Sequence, residues 1–149
     1  MEPKQFKKIF GAIASENGFQ SQYGGWFKES SECLLILTLQ KSTHSNLYYL
    51  NIKVYINGML QDKYVNSKDL TQNFPGNIFR RQPPGFDDVF DLEVPMTDEE
   101  RVKEVNSFFN DFVMPFAQKA LSKDGIIELW KENLIFLTPF DKSFLEIKT

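Results

Sequence analysis

At 149 residues, with 42% hydrophobic and 25% charged residues, the chain has the make-up of one soluble globular domain, long enough to bury roughly 68–70% of its unfolded surface without staples. A net charge of −3 and a pI of about 5.2 argue against general binding to nucleic acid or anionic membranes, which needs a concentrated basic surface. One cysteine and one histidine exclude an intrachain disulfide and leave too few ligands for a structural zinc site.

Aromatic side chains are the unusual part. Fifteen Phe, five Tyr and two Trp make up 15% of the chain, which points to a thick core between helices and a sheet. No apolar stretch approaches the ~20 residues that cross a bilayer, and residues 1–8 are not followed by the apolar centre of a signal peptide. A cytoplasmic protein is expected.

Residues 3–17 read as an amphipathic helix. Phe6, Ile9, Phe10 and Ile13 share one face, with Lys4, Lys7 and Lys8 largely opposite. Pro3 suits a first helical turn and Asn17-Gly18 a stop. Residues 19–22 and 26–29 are predicted to form a short hairpin around Tyr23-Gly24-Gly25, because glycine supplies the positive φ of a tight turn.

The strongest signal follows. Two apolar runs, 33–39 and 47–56, flank the polar break 40–46 and read as neighbouring antiparallel strands over 32–41 and 47–57, the centre of a sheet. In the second run Tyr48, Leu50, Ile52, Val54 and Ile56 alternate with Tyr49, Asn51, Lys53 and Tyr55, so one face is packed and the other wetter. The first run is apolar on both faces over 34–37, which places it in the middle of the sheet.

Asn57-Gly58 supplies a turn. Residues 60–75 are polar and irregular, with a short helical turn at Ser67-Lys68-Asp69-Leu70. Residues 77–81 read as a further strand, and Gln82-Pro83-Pro84-Gly85 breaks regular structure. Residues 86–94 are acidic and aromatic and read as an edge strand or a loop.

Thr97 with Glu100 three residues on is a capping box. It opens a long helix to about Leu121 whose stripe is Val102, Val105, Phe109, Phe112, Val113, Phe116 and Ala120, kinked or broken at Pro115. Asp124 is predicted to cap a further helix bearing Ile126, Ile127, Leu129, Trp130 and Leu134. Thr138-Pro139 restarts a last short helix through Phe144 and Leu145. No repeat, low-complexity segment or linker divides residues 1–149. The order of elements defines a single α+β domain: a four- to five-stranded antiparallel sheet with an N-terminal helix and C-terminal helices packed on one face.

No catalytic set emerges. Cys33 opens an apolar strand while His44 lies in the hairpin loop beyond its far end, too far for a hydrogen bond. Asp87, Asp88, Asp91 and Glu93 lack the glycine and ligand periodicity of a calcium loop and read as a solvated, charge-protected segment. Tyr23-Gly24-Gly25-Trp26 has no Lys or Ser/Thr at phosphate-loop spacing. Asp98-Glu99-Glu100 sits in a helix first turn, where carboxylates meet the helix dipole favourably. No catalytic residue, metal ligand or cofactor is assigned.

Two features stay open. Gln40-Lys41-Ser42 leaves the central strand and either contacts a ligand at the sheet end or forms the turn. Arg80-Arg81 either holds a carboxylate or phosphate bidentately or pairs with Asp87, Asp88 and Asp91.

Gly18-Phe19 after the first helix, Leu39-Gln40-Lys41-Ser42 at the strand exit, Asn51 in the next strand and Arg80 before an aromatic stretch carry a resemblance. With the aromatic strand at Trp26-Phe27, the chain resembles, over about residues 4–130, the bacterial family known as domain of unknown function 4304. The resemblance implies a small cytoplasmic bacterial protein. It brings no established activity and no catalytic residues to carry over. In size, charge and fold style such proteins are similar to the immunity proteins of bacterial toxin systems, a likeness that does not determine function.

The leading expectation is a non-enzymatic protein-binding module, immunity-like or an accessory factor. Trp26, Tyr49 and Tyr55 beside Asp87, Asp88 and Asp91 would meet a basic partner surface, since Tyr and Trp are enriched at interfaces. The alternative is a small-ligand binder or unrecognised enzyme with a pocket between sheet and helices, using Gln40, Lys41, Asn51 and Arg80. A self-associating subunit is the third possibility.

Overall fold

The computed structural model describes residues 1–147. Helix α1 (Pro3–Glu16) ends as its sequence asks: Gly18 sits at φ 88°, so its N–H reaches the carbonyl of Ser15 and that of Phe19 reaches Ala14. Strands β1 (Gln20–Gln22) and β2 (Gly25–Glu29) follow. Their turn is Tyr23-Gly24, at φ 54° and 82°, two positive values that suit the twist of a hairpin. Gly25 already lies in the strand. A Cβ there would stand 2.8 Å from the carbonyl oxygen of Leu37 and 2.9 Å from Cγ2 of Thr71, so its bare backbone lets the chain pack close on this side.

Strands β3 (Cys33–Lys41) and β4 (Tyr48–Ile56) pair antiparallel from Cys33 opposite Ile56 to Lys41 opposite Tyr48. After helix α2 (Lys68–Gln72), strand β5 (Ile78–Arg81) pairs with β4. The sheet order is β1-β2-β3-β4-β5, all antiparallel, so β3 is the middle strand. Residues 86–94 form neither a strand nor a plain loop. They make a short helix α3 (Asp87–Phe90) and one bridge from Asp91 to Leu47.

The long helical region is continuous but not uniform: α4 (Asp98–Phe108), a π-turn (Phe109–Val113), then α5 (Met114–Ala120). Pro115 has no N–H to give the carbonyl four residues back. The π-turn widens the ladder just before it, with the Met114 N–H reaching Phe109, and the helix continues without a break at the proline. Thr97 Oγ1 caps the first turn at the Glu100 N–H, 3.1 Å. The return bond of a capping box is absent among the described hydrogen bonds. Helix α6 (Lys123–Lys131) is capped by Ser122 and not by Asp124, because the hydroxyl of Ser122 accepts from the Gly125 N–H at 2.9 Å. Leu134 lies beyond that helix. Helix α7 (Pro139–Phe144) has the full box, Thr138 with Asp141.

The main core lies between α1 with the α4–α6 region and one sheet face. Phe6, Phe10, Phe90, Phe108 and Phe109 are wholly buried there against Leu35, Leu37, Leu50, Ile52 and Val54. Each such side chain contributes about 1.5–3 kcal/mol of burial. The opposite face carries a second, smaller cluster. The β4–β5 connection folds back so that Tyr64 and Leu70 cover Phe27, Leu34, Ile36 and Tyr55. This second cover is why β3 is apolar on both sides.

Candidate functional site

The connection covers only one end of that second face. Beyond it the sheet surface turns polar, and successive cross-strand pairs place the residues. Asn51 stands opposite Thr38 and Arg81, and Tyr49 opposite Gln40. The amide of Asn51 donates to Oε1 of Gln40 at 3.1 Å. Arg81 donates from Nε to Asn51 Oδ1 and from Nη2 to Gln40 Oε1, both at 3.3 Å, and its guanidinium lies 4.3 Å from the centre of the Tyr49 ring.

Lys53 is the next residue on this face. It is only 6% exposed, and its ammonium donates to the carbonyl of Thr71 in α2. Ser67 caps that helix at the Leu70 N–H, and Thr71 Oγ1 is tied to Asn66 and to the Ser67 carbonyl. Gln72 donates to the carbonyl of Tyr23 at 2.8 Å, fixing α2 to the β1–β2 turn. Between them lies a cavity of about 340 Å³ bordered by Thr38, Gln40, Asn51, Lys53, Thr71 and Gln72. Among the described residues, ion pairs within 4.0 Å are those of Lys119 with Glu128 and Glu132. Lys53 therefore holds its charge against a neutral carbonyl.

Burial pushes the Lys53 ammonium below its ordinary pKa of 10.5. The unfolded chain then binds more protons than the folded one between the two values, so stability rises with pH in that window and is flat below it. Urea melts of the native chain and Lys53→Met across pH 8–11 read this out. The stability of the native chain relative to the variant is expected to rise toward pH 10.5; an unchanging difference would mean that Lys53 is solvated in solution.

Two of the three aromatic residues expected at an exposed partner surface are buried. Trp26 pairs with Leu37 and so faces α1, its ring centre 5.1 Å from that of Phe10. Tyr55 is 3% exposed beneath the connection, its hydroxyl donating to the carbonyls of Leu70 and Phe74 at 2.7 and 3.1 Å. Tyr49 is half-buried. Asp87 and Asp88 are exposed in the first turn of α3, and Asp91, half-buried, accepts from the Glu93 N–H.

Neither arginine pairs with these carboxylates. Arg80 and Arg81 are consecutive in a strand and point to opposite faces. Arg80 lies over Phe112 and Phe116, at 5.0 and 5.6 Å, and donates to the carbonyls of Leu134 and Arg81. Of the four residues expected around a ligand, Gln40 and Asn51 meet. Lys41 turns to the loop carbonyls of Ser42 and Ser45, and Arg80 is on the helix side. Lys53 and Arg81 take their places. The space between sheet and helices, where the pocket was expected, is filled by phenylalanine rings, and the groove is on the other face. Cys33 is fully buried, its thiol pushed up to about 12 chiefly by burial.

Sequence reasoning passed over two residues. Lys53 carried a signal, a lysine in the middle of a strand where most neighbours are apolar. Arg101, 1% exposed in α4, donates to the carbonyls of Asp88, Val89 and Val94 and anchors the α3 region. It sits in a polar stretch of helix that gave no hint of burial. Among the described residues no group of three or more His, Cys, Asp or Glu is close enough to hold a metal ion, and no helix is long and apolar enough to cross a membrane.

These elements define an α+β protein built on a five-stranded antiparallel meander, with helices packed on one face and a polar groove on the other. The chain belongs to the family described as Domain of unknown function (DUF4304), whose model matches residues 10–119. That span runs from within α1 into α5 and takes in the whole sheet and the groove. No curated protein and no solved structure matches the chain.

Proposed function

We propose that the protein is a ligand-binding module that takes a small polar molecule into the groove on the second sheet face. One observation carries this: Lys53, nearly buried, lines a cavity with one protein acceptor for its three N–H groups among the described residues. A buried cation so sparsely satisfied costs stability, and a bound group that accepts from it returns that cost. Gln40, Asn51, Thr38 and Gln72 supply directional donors and acceptors around it. Binding is favoured over chemistry because Cys33 and His44 lie outside the groove.

The test is a thermal-shift screen of polar metabolites against the native chain and Lys53→Met. Compounds that raise the melting temperature of the native chain and leave the variant unmoved would support the groove. Equal shifts in both proteins, or none in either, would overturn it.

A basic partner protein, met as by an immunity or accessory factor, is the second candidate occupant of this chain's surface. Asp87 and Asp88 stay exposed, and Leu60 and Phe74 on the β4–β5 connection are 71% and 51% exposed. A stoichiometric partner co-purified from the native host and lost when Asp87, Asp88 and Asp91 are changed to Lys would support it. Retention of the partner by that variant would remove the acidic residues from the interface.

A further inference from the structure

We propose that the groove is an oxyanion site, in which Lys53 and Arg81 receive a carboxylate or phosphate group of a small molecule. The inference rests on the ligand-binding reading above and gives that ligand its chemical class.

The charge around the groove runs against that of the chain. The protein has 20 acidic and 17 basic residues. The groove's lining nevertheless holds two lysines, Lys7 and Lys53, and no Asp or Glu. Arg81 is outside that lining and borders it through its bonds to Asn51 and Gln40. None of these three cations has a carboxylate within 4.0 Å among the described residues.

Geometry adds to charge. Lys53 is nearly buried on a strand, so its ammonium is held in place and poorly hydrated, where an anion gains most from meeting it. One neutral carbonyl leaves two of its N–H directions for a ligand. The Arg81 guanidinium is oriented by two amide oxygens and by the Tyr49 ring it lies over, so little ordering remains for binding to supply. Gln40 accepts through Oε1 from both Asn51 and Arg81, which leaves its NH₂ as a further donor. The set is donor-rich, and a donor-rich, cationic site selects an oxyanion over a neutral polyol.

The experiment is calorimetric titration of the full chain at low ionic strength with inorganic phosphate, succinate and succinamide as probes. Binding of phosphate or succinate is expected, at least tenfold tighter than succinamide, weakened by added NaCl, and reduced tenfold or more in both Lys53→Met and Arg81→Gln. Arg81 is exposed, so its variant keeps the fold even if Lys53→Met does not. Phosphate binding alone would assign the site to a phosphate group, and succinate alone to a carboxylate. Succinamide binding as tightly as succinate would overturn the anionic class and leave the groove as a polar-ligand site. Anion binding unchanged in both variants, or no binding of either anion, would overturn the proposal.

Discussion

Gly125→Ala is expected to destabilise the protein, although alanine is the better helix former by about 1 kcal/mol. Gly125 stands in the first turns of α6, and a Cβ there would overlap the carbonyl oxygen of Lys119 in α5. Two residues, Leu121 and Ser122, separate the helices, so the close approach is built into the turn. The Ser122 N–H bonds to that same Lys119 carbonyl at 3.3 Å, which ties the start of α6 to the end of α5. Forcing a methyl group between two backbones costs about 1–3 kcal/mol, which outweighs the gain in propensity. Urea melts would show a net loss of up to about 2 kcal/mol once that gain is subtracted. A rise in stability would mean that α5 and α6 sit further apart.

The second large effect is expected at Arg101. Arg101→Met keeps much of the side-chain volume but strands the carbonyls of Asp88, Val89 and Val94, which the guanidinium serves at 3.1, 2.9 and 2.9 Å. Each abandoned carbonyl costs about 1–3 kcal/mol where water cannot reach it, and a total of roughly 3–5 kcal/mol is expected. The damage should be local before it is global. Amide exchange is expected to accelerate through α3 and at Leu92, whose N–H bonds to Asn46. Arg101→Lys should recover part of the loss, since one ammonium cannot reach three carbonyls in the same fork. A melting temperature unchanged in Arg101→Met would show that α3 is held by its apolar contacts alone.

The hairpin of β3 and β4 was legible because two apolar runs flank a polar break and the second alternates along its length, and the Asn17-Gly18 stop because glycine readily takes the positive φ of that cap. The faces were harder. Trp26 and Tyr55 are aromatic and look like interface anchors until the register is known; Trp26 opposite Leu37 turns toward α1, and Tyr55 opposite Leu34 turns toward the connection. Nothing in the polar stretch 60–75 announced that Tyr64 and Leu70 would close over the sheet. Ser122 and Asp124 are both good cap residues, and it is the Ser122 hydroxyl that accepts from the first turn of α6. Asn51 and Gln40 were singled out from their strand positions, and they do meet. Arg81 was read as half of a dibasic pair, whereas adjacent residues in a strand serve opposite faces. Lys53 was assigned to the wetter face; its apolar strand neighbours hinted at burial, and the cover itself came from the long-range folding back of α2.

The groove account is tested most directly by nuclear magnetic resonance on the labelled full chain, following backbone amides and lysine side chains as the compound with the largest thermal shift is added. The account predicts that shifts gather at Thr38, Gln40, Asn51, Lys53, Thr71 and Gln72, with the Lys53 side chain moving most. Shifts gathered instead at Asp87, Asp88 and the rest of α3, with the Lys53 signals unmoved, would contradict it.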